Sequence, residues 1–225
     1  MPLLLPKPIL CLITRGATAE STTSASKEFQ DILDQVSASV AAGVQLVQLR
    51  EKKLTARVLF DLTARAVEIT RGSSTRLLVN DRADIASGAG ADGVHLTTRS
   101  LEPKIVRRTF GEEFLIGAST HSRPEATNAR DGGADFVVFG PIFPTASKDE
   151  YGPPLGLPCL ADVTSELAPF PVLALGGISI DNARECLRAG ASGIAGISLF
   201  RAPENLSRTC AEIVKFSQIH SGVVK

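Results

Sequence analysis

The sequence carries no excess of charge of either sign. Its 24 Lys and Arg residues balance 24 Asp and Glu residues, and no basic run stands out. Proteins that bind nucleic acid neutralise its phosphates with clusters of Lys and Arg. The absence of such a cluster predicts that nucleic acid is not a partner of this protein.

Paired cysteines and long apolar runs are missing as well. The apolar run near the N-terminus, Leu3-Leu4-Leu5, lies between Pro2 and Pro6 and is too short for a signal segment or a membrane span. Four cysteines lie far apart without a C-x-x-C pair, which predicts reduced, mostly buried thiols: Cys11, Cys159, Cys186 and Cys210. We therefore expect a cytoplasmic protein without a membrane partner.

The length and composition suit one large globular domain. The chain has 225 residues, of which 44% are apolar and 21% are charged. That length is typical of a single α/β barrel, and the composition is ordinary for a globular protein. No linker divides the sequence, so we predict one domain over residues 1–225.

Short apolar runs alternate with helical patterns along almost the whole chain. Unbroken runs of this kind are typical of parallel strands that are buried on both faces. Amphipathic helices are predicted between them, for example over residues 29–41 and 56–69. The eight predicted strands cover residues 9–14, 46–49, 77–79, 93–96, 114–117, 136–139, 172–175 and 193–197.

A repeated pattern joins helices to strands and indicates the fold class. Gly43, Gly90, Gly133 and Gly190 each follow a helical pattern and precede a strand, where glycine provides a left-handed stop. Eight even β/α units predict an α/β fold, a (β/α)8 TIM barrel with parallel strands. An open doubly wound sheet is the alternative.

Residues that follow barrel strands face the active site, and those after the second strand favour an anion. Gln48, Arg50 and Lys52 place an amide, a guanidinium and an ammonium at one strand end. Arg grips oxyanions through a planar fork of donors, and Lys acts as a point charge, so a diphosphate fits best. The alternative is a surface salt-bridge cluster.

The third strand is followed by a pair of residues that suits a metal. The carboxylate of Asp81 next to Asn80 would provide oxygen ligands for Mg²⁺ beside a diphosphate. The alternative is that Asp81 caps the following helix.

Hydroxyls and a histidine follow the fifth strand. The hydroxyl of Ser119 is of a type that donates hydrogen bonds to phosphate, and a histidine such as His121 is an acid/base group near neutral pH. The alternative is again a helix cap, with Ser122 in that role. His95, at the end of the fourth strand, is interpreted as a hydrogen-bonded structural residue.

Three further strand ends offer phosphate contacts. After the sixth strand, a loop rich in Pro and Gly presents Thr145, Ser147 and Lys148, and residues 143–157 form a candidate lid. Gly177 follows the seventh strand, and Ser198 follows the eighth, where barrels commonly hold phosphate through backbone N–H groups.

These motifs resemble the thiamine-phosphate synthase family, which also contains the thiazole tautomerases. The resemblance covers about residues 8–215. It rests on motifs in the family's order and spacing: Gln48 to Lys52, Asn80 to Arg82, Ala91 to Leu96, Ser119 to His121, Gly140 to Lys148 and Gly176 to Ile178.

The resemblance implies a reaction and a role for each residue. A synthase joins hydroxymethylpyrimidine diphosphate to thiazole phosphate and releases pyrophosphate, and the diphosphate leaves before the thiazole nitrogen traps the pyrimidine carbocation. The leaving group would be stabilised by Mg²⁺ on Asp81 and by Arg50, Lys52 and Lys148. The pyrimidine would contact Gln48, Asn80 and Ser119, and the thiazole phosphate would contact Thr145, Ser147, Gly177, Ile197 and Ser198.

One position departs from the family pattern. Synthases usually have an aspartate as a second metal ligand where this chain has Ser100, and a hydroxyl is a weaker Mg²⁺ ligand than a carboxylate. The tautomerases lack that aspartate and use a histidine that corresponds to His121. The sequence therefore favours a synthase and leaves a metal-independent tautomerase, with His121 as acid/base, as the alternative. A third hypothesis is a non-catalytic protein that binds thiazole phosphate. A homodimer is expected because barrels of this size often pair.

Overall fold

The computed structural model describes residues 5–145 and 153–218, in which eight strands alternate with eight helices. The strands β1 to β8 are Ile9–Ile13, Leu46–Leu49, Arg76–Asn80, Gly93–Leu96, Leu115–Thr120, Phe136–Phe139, Val172–Ala174 and Gly193–Gly196. The helices α1 to α8 are Lys27–Ala41, Ala56–Thr70, Ala83–Ala89, Pro103–Phe110, Arg123–Asp131, Gly156–Leu167, Ile180–Arg188 and Pro203–Gln218.

The eight strands close into a barrel. Each strand pairs in parallel with its neighbours in sequence, and β1 also pairs with β8, where Leu10 lies opposite Ile194. An open sheet would leave two edge strands with one partner each, whereas every strand here has two. The predicted (β/α)8 barrel is therefore confirmed, and the open-sheet alternative is wrong.

The core has two layers because successive strand residues point to opposite faces. The inner layer fills the barrel with residues such as Cys11, Leu46, Leu78 and Phe136. The outer layer packs strand residues against the helices; α1, for example, buries Phe29 and its neighbours one turn on. Continuing the alternation by one step from Leu46 and Leu78 brings Gln48 and Asn80 to the carboxyl end of the barrel interior.

Two strands extend further towards that end than the sequence predicts. β3 continues to Asn80, and β5 runs to Thr120 instead of ending at Gly117. Asn80 and Ser119 are therefore strand residues, not loop residues. Their orientation is fixed by ladder hydrogen bonds, so both side chains point into the barrel mouth.

The glycines of the repeated pattern confirm the predicted helix stops. Gly43, Gly90, Gly133 and Gly190 have φ values of 71°, 79°, 89° and 90°, in the left-handed region. Two aspartates that follow these glycines bind the preceding strand: Asp92 accepts from the Leu77 N–H at 2.8 Å, and Asp135 from the Ile116 N–H at 2.7 Å. Both features set where a strand begins.

The helices that the structure describes include none that is long and apolar enough to cross a membrane. Thr55 caps α2, since its side chain accepts from the Val58 N–H. Predicted and observed bounds of α1 and α2 differ by at most two residues at each end.

Replacing Arg107 by alanine should strongly destabilise the barrel. Its guanidinium is 12% exposed, pairs with Asp135 at 2.7 Å and donates to the carbonyls of Gly133 and Phe114. The variant leaves the Asp135 carboxylate, 10% exposed, without its cation. We expect a loss of about 3–5 kcal/mol in the free energy of unfolding, measured by urea denaturation. A loss below about 1 kcal/mol would contradict this role; Arg71→Ala, at an exposed ion pair, is the matched control.

Candidate active site

A cleft of about 540 Å³ lies at the carboxyl ends of the strands. Residues from several different strand ends contribute to it, which is how active sites of this fold are built. Nine of the predicted site residues line it: Gln48, Arg50, Lys52, Asn80, Ser119, His121, Thr145, Ile197 and Ser198. Five unpredicted residues line it as well: Ile13, Arg15, Thr97, Thr98 and Leu175.

The charge that lines this cleft is positive. Arg15, Arg50 and Lys52 contribute three cations, and the described lining residues include no Asp or Glu. Neither Arg50 nor Lys52 forms an ion pair with a carboxylate among residues 5–145 and 153–218. The salt-bridge alternative for this motif therefore has no support, and the cleft suits a polyanion.

A chain of hydrogen bonds fixes the orientation of Gln48. The Asn80 amide nitrogen donates to Asp81 Oδ2 at 2.8 Å, so its Oδ1 must accept, and Gln48 Nε2 donates to it at 2.9 Å. This leaves Gln48 Oε1 as a buried acceptor with no partner among the described residues. A buried unsatisfied oxygen is costly. The cleft therefore presents a defined acceptor for a hydrogen-bond donor on a ligand.

Asp81 does not cap a helix. α3 begins at Ala83 with Arg82 at the cap position and without a side-chain cap bond. The carboxylate instead accepts from the hydroxyl of Ser100 and, at 3.3 Å, from that of Thr97. Its φ of 61° is the one left-handed value outside glycine among the described residues. The β3–α3 and β4–α4 loops are joined through this side chain.

The donor set around Asp81 fits Mg²⁺ at the lower limit. Mg²⁺ keeps several waters and is held by one or two carboxylates plus substrate phosphates. Asp81 is one carboxylate, and Ser100 and Thr97 add hydroxyls beside it. Asp84 does not supply a second ligand: it pairs with Arg82 at 2.6 Å, a bond that holds the pKa of Asp84 below its usual value. No cluster of three metal-ligating side chains occurs among the described residues.

His121 is oriented by main-chain contacts. The ring Nδ1 of His121 lies within hydrogen-bond distance of the Gly140 carbonyl. The backbone N–H of His121 donates to the Glu125 carboxylate at 2.7 Å. The adjacent Ser122 caps α5 by accepting from the Glu125 N–H. The alternative interpretation of this segment, a helix cap at Ser122, is therefore confirmed for that residue. His95 is buried beneath the cleft and contacts the Ser119 hydroxyl at 2.9 Å, so its structural interpretation is supported.

The predicted phosphate contacts are only partly brought together. Thr145 and Ser198 line the cleft, whereas Ser147 and Lys148 lie outside the described residues. Gly177 does not line it: an added Cβ there would lie 2.5 Å from the Pro144 carbonyl oxygen. Gly177 thus permits close packing of the β6–α6 loop, and its phosphate contact stays a prediction.

The buried cysteines are not available for thiol chemistry. Burial raises the pKa of the Cys11 thiol to about 12, and that of Cys186 likewise to about 12. Both thiols stay protonated at neutral pH and are poor nucleophiles. Three of the four cysteines are buried, as the sequence predicts.

Arg15, Glu51 and Thr97 are functional candidates that the sequence argument missed. Arg15 lies two residues beyond the last residue of β1, and the rule that strand-end residues face the site identifies it. Glu51 is 3% exposed and is surrounded by donors. No sequence pattern distinguishes it from the exposed charges next to it.

A closed (β/α)8 barrel with a cationic cleft at its carboxyl ends defines a class of proteins that act on small anionic molecules. A family model described as thiamine monophosphate synthase matches residues 21–200. The thiamine-phosphate synthase of Chlorobium phaeovibrioides is 40% identical over 85% of this chain and 86% of its own length. That of Chlorobium phaeobacteroides is 36% identical over 93% of this chain and 97% of its own length.

A solved structure agrees with these relatives. Thiamine phosphate pyrophosphorylase from Pyrococcus furiosus has 29% sequence identity and a TM-score of 0.77, over 95% of this chain and 97% of that chain. The chain therefore belongs to the thiamine monophosphate synthase family, as the sequence motifs predict.

Proposed function

We propose that the protein is a thiamine-phosphate synthase, a transferase that joins a hydroxymethylpyrimidine diphosphate to a thiazole phosphate and releases pyrophosphate. The observation that carries the proposal is one cleft with three cations and an unpartnered buried acceptor, Gln48 Oε1. The cations suit a diphosphate, and the acceptor suits an amino group on the pyrimidine. Relatives with this activity in their names are similar over most of the chain.

The pyrimidine contacts follow from the fixed orientation of Gln48. A 4-amino group donates hydrogen bonds, so it can satisfy Gln48 Oε1. Ser119 lies on β5 at the same cleft, where the His95 contact restrains its hydroxyl. The residues that hold the amino-pyrimidine are thus strand residues, which position a ligand more firmly than loop residues do.

Charge that develops on the leaving diphosphate is the main demand of the reaction. Breaking the bond between the pyrimidine methylene carbon and the diphosphate oxygen leaves both electrons on that oxygen. Arg50 and Lys52 are cations that line the cleft, and stabilisation of a growing negative charge by such groups lowers the barrier. Lys148 would add a further cation. The thiazole nitrogen then forms a bond to the methylene carbon.

The second substrate would bind in the same cleft, at the ends of other strands. Thr145 follows β6, and Ile197 and Ser198 follow β8. Their hydroxyls and backbone N–H groups suit a phosphate monoester, to which Ser147 and Gly177 would contribute. The thiazole would then lie in the same cleft as Arg50 and Lys52.

A magnesium ion that accompanies the diphosphate would be held by Asp81. When bound, Mg²⁺ supplies positive charge to the diphosphate oxygens. Asp81 contributes one carboxylate oxygen, and the hydroxyls of Ser100 and Thr97 hold that carboxylate in place.

The test is a coupling assay with purified protein, the pyrimidine diphosphate, thiazole phosphate and Mg²⁺. We expect thiamine phosphate and pyrophosphate to form in equal amounts. Binding of both substrates without product would favour a non-catalytic relative. In a parallel assay with thiazole phosphate carboxylate, conversion of one isomer to the other without coupling would favour a tautomerase.

Replacing His121 by alanine should lower kcat/KM for coupling by less than tenfold. The histidine lines the cleft, but transfer to the thiazole nitrogen requires no proton transfer by the protein in the bond-forming step. Steady-state kinetics of coupling measure the effect. A loss of about 10³-fold or more would assign His121 an acid/base role and contradict the proposed mechanism.

Replacing Ser100 by aspartate should create a stronger metal site. A second carboxylate next to Asp81 repels it unless a cation lies between them. We expect Mg²⁺ binding to the free protein, measured by isothermal titration calorimetry, to tighten by about tenfold or more. Ser100→Asn is the matched control, because asparagine has nearly the shape of aspartate without its charge. Equal Mg²⁺ affinity in both variants would contradict a metal site at Asp81.

A further inference from the structure

We propose that Arg15 is an additional anion-binding residue of the cleft and that the buried carboxylate of Glu51 positions it. The inference rests on the proposed diphosphate site and extends it with two residues. Arg15 belongs to the β1–α1 loop, and Glu51 lies in the segment after β2 between the two predicted catalytic cations, Arg50 and Lys52.

Glu51 anchors the β1–α1 loop to the end of β2. Its Oε1 accepts from the Thr14 hydroxyl at 2.7 Å and from the Gly16 N–H at 3.1 Å. Its Oε2 accepts from the Thr18 hydroxyl at 2.7 Å and from the Thr18 N–H at 3.4 Å. At 3% exposure, this carboxylate is compensated by loop donors. The donors lie on both sides of Arg15 in the sequence, so the bonds fix the loop on either side of it.

The same loop packs against Arg50. The Arg50 N–H donates to the Thr14 hydroxyl at 2.8 Å. An added Cβ at Gly16 would lie 3.0 Å from the Arg50 carbonyl oxygen and 3.4 Å from its Nη1. The loop backbone therefore lies close to both the main chain and the guanidinium of Arg50, with no room for a side chain at Gly16. Through Glu51, one carboxylate sets the position of the loop relative to the catalytic cations.

Arg15 is placed to share an anion with Arg50. It lines the cleft, is exposed, and forms no ion pair with a carboxylate among the described residues. Two guanidiniums at one cleft repel each other unless an anion lies between them. The residue after Arg15, Gly16, lies close to the Arg50 guanidinium, and a diphosphate carries enough oxygens for both forks, so Arg15 is assigned to the diphosphate.

Pyrophosphate binding to the full-length protein at fixed Mg²⁺, measured by isothermal titration calorimetry, tests Arg15. We expect Arg15→Ala to weaken the affinity about tenfold and Arg15→Lys to recover part of the loss, since charge returns without the fork. Arg201→Ala is the matched control: Arg201 is exposed and lines a groove shared with Arg15, but not the cleft. Unchanged affinity in Arg15→Ala would overturn the proposal.

Arg50→Ala separates this proposal from the proposed function. Weaker pyrophosphate binding in Arg50→Ala with unchanged binding in Arg15→Ala would reject the role of Arg15 and leave the proposed diphosphate site in place. Unchanged binding in both variants would reject the diphosphate site itself, and the role of Arg15 with it.

A double-mutant cycle tests whether Glu51 acts through Arg15. Glu51→Gln keeps the size of the side chain but replaces the negative carboxylate, which accepts four hydrogen bonds, by a neutral amide. We expect it to weaken pyrophosphate binding about as much as Arg15→Ala, and the double variant to bind no more than about twofold worse than either. Multiplying effects would show that Glu51 does not act through Arg15. Thermal melting checks that each variant is folded, and a lower Tm without weaker binding would reduce Glu51 to a structural role.

Discussion

Arg50→Ala should lower kcat/KM for coupling by about 10²–10³-fold while the barrel stays folded. The guanidinium lies at the cleft where charge grows on the leaving diphosphate, and removal of one such donor costs about this much in other enzymes. Its main-chain N–H bond to Thr14 does not depend on the side chain. The fold should therefore survive the substitution.

Steady-state kinetics with saturating Mg²⁺ would measure this effect, and circular dichroism would check the fold. Arg50→Lys is the informative second variant, because it keeps the charge and loses the planar fork. We expect it to recover less than a tenth of the lost activity. Wild-type turnover in Arg50→Ala would mean that the cleft does not hold the diphosphate there.

Asp81→Asn should lower kcat/KM about 100-fold and abolish the dependence of the rate on Mg²⁺. The substitution removes the one carboxylate proposed to hold the metal but keeps the side-chain shape. Asn tolerates the left-handed φ of 61°, which alanine does not. Asp81→Asn therefore separates loss of charge from backbone strain.

Initial rates over a range of Mg²⁺ concentrations measure this prediction. Asp84→Asn is the matched control, since Asp84 is an exposed carboxylate in the first turn of α3 and pairs with Arg82 instead of with Ser100 and Thr97. An unchanged Mg²⁺ dependence in Asp81→Asn would place the metal elsewhere.

The barrel could be predicted from sequence because its signals are local. Short apolar runs marked all eight strands, and glycines such as Gly43 and Gly190 marked where helices stop. The ends of the strands were predicted less accurately. β5 reaches Thr120 because its residues pair with β6 as far as Phe139. That pairing is a tertiary interaction which a single segment does not encode.

Most cleft residues were also predictable, since the rule that strand ends face the site needs only the strand positions. Gln48, Arg50 and Lys52 were placed correctly by it. Gly177 shows the limit of the rule: it follows β7, yet its α-carbon is covered by the β6–α6 loop. Position after a strand brings a residue near the site but does not determine what packs over it.

The sequence by itself determined the fold class, the family and the cationic character of the cleft, because these depend on residue types and their spacing. The tertiary structure decided how neighbouring side chains are used. Asp81 binds Ser100 and Thr97 from the next loop instead of capping its own helix, and Glu51 turns inward to hold the loop of Arg15 while Arg50 and Lys52 line the cleft. Such roles depend on donors that are distant in sequence and meet only when the barrel closes.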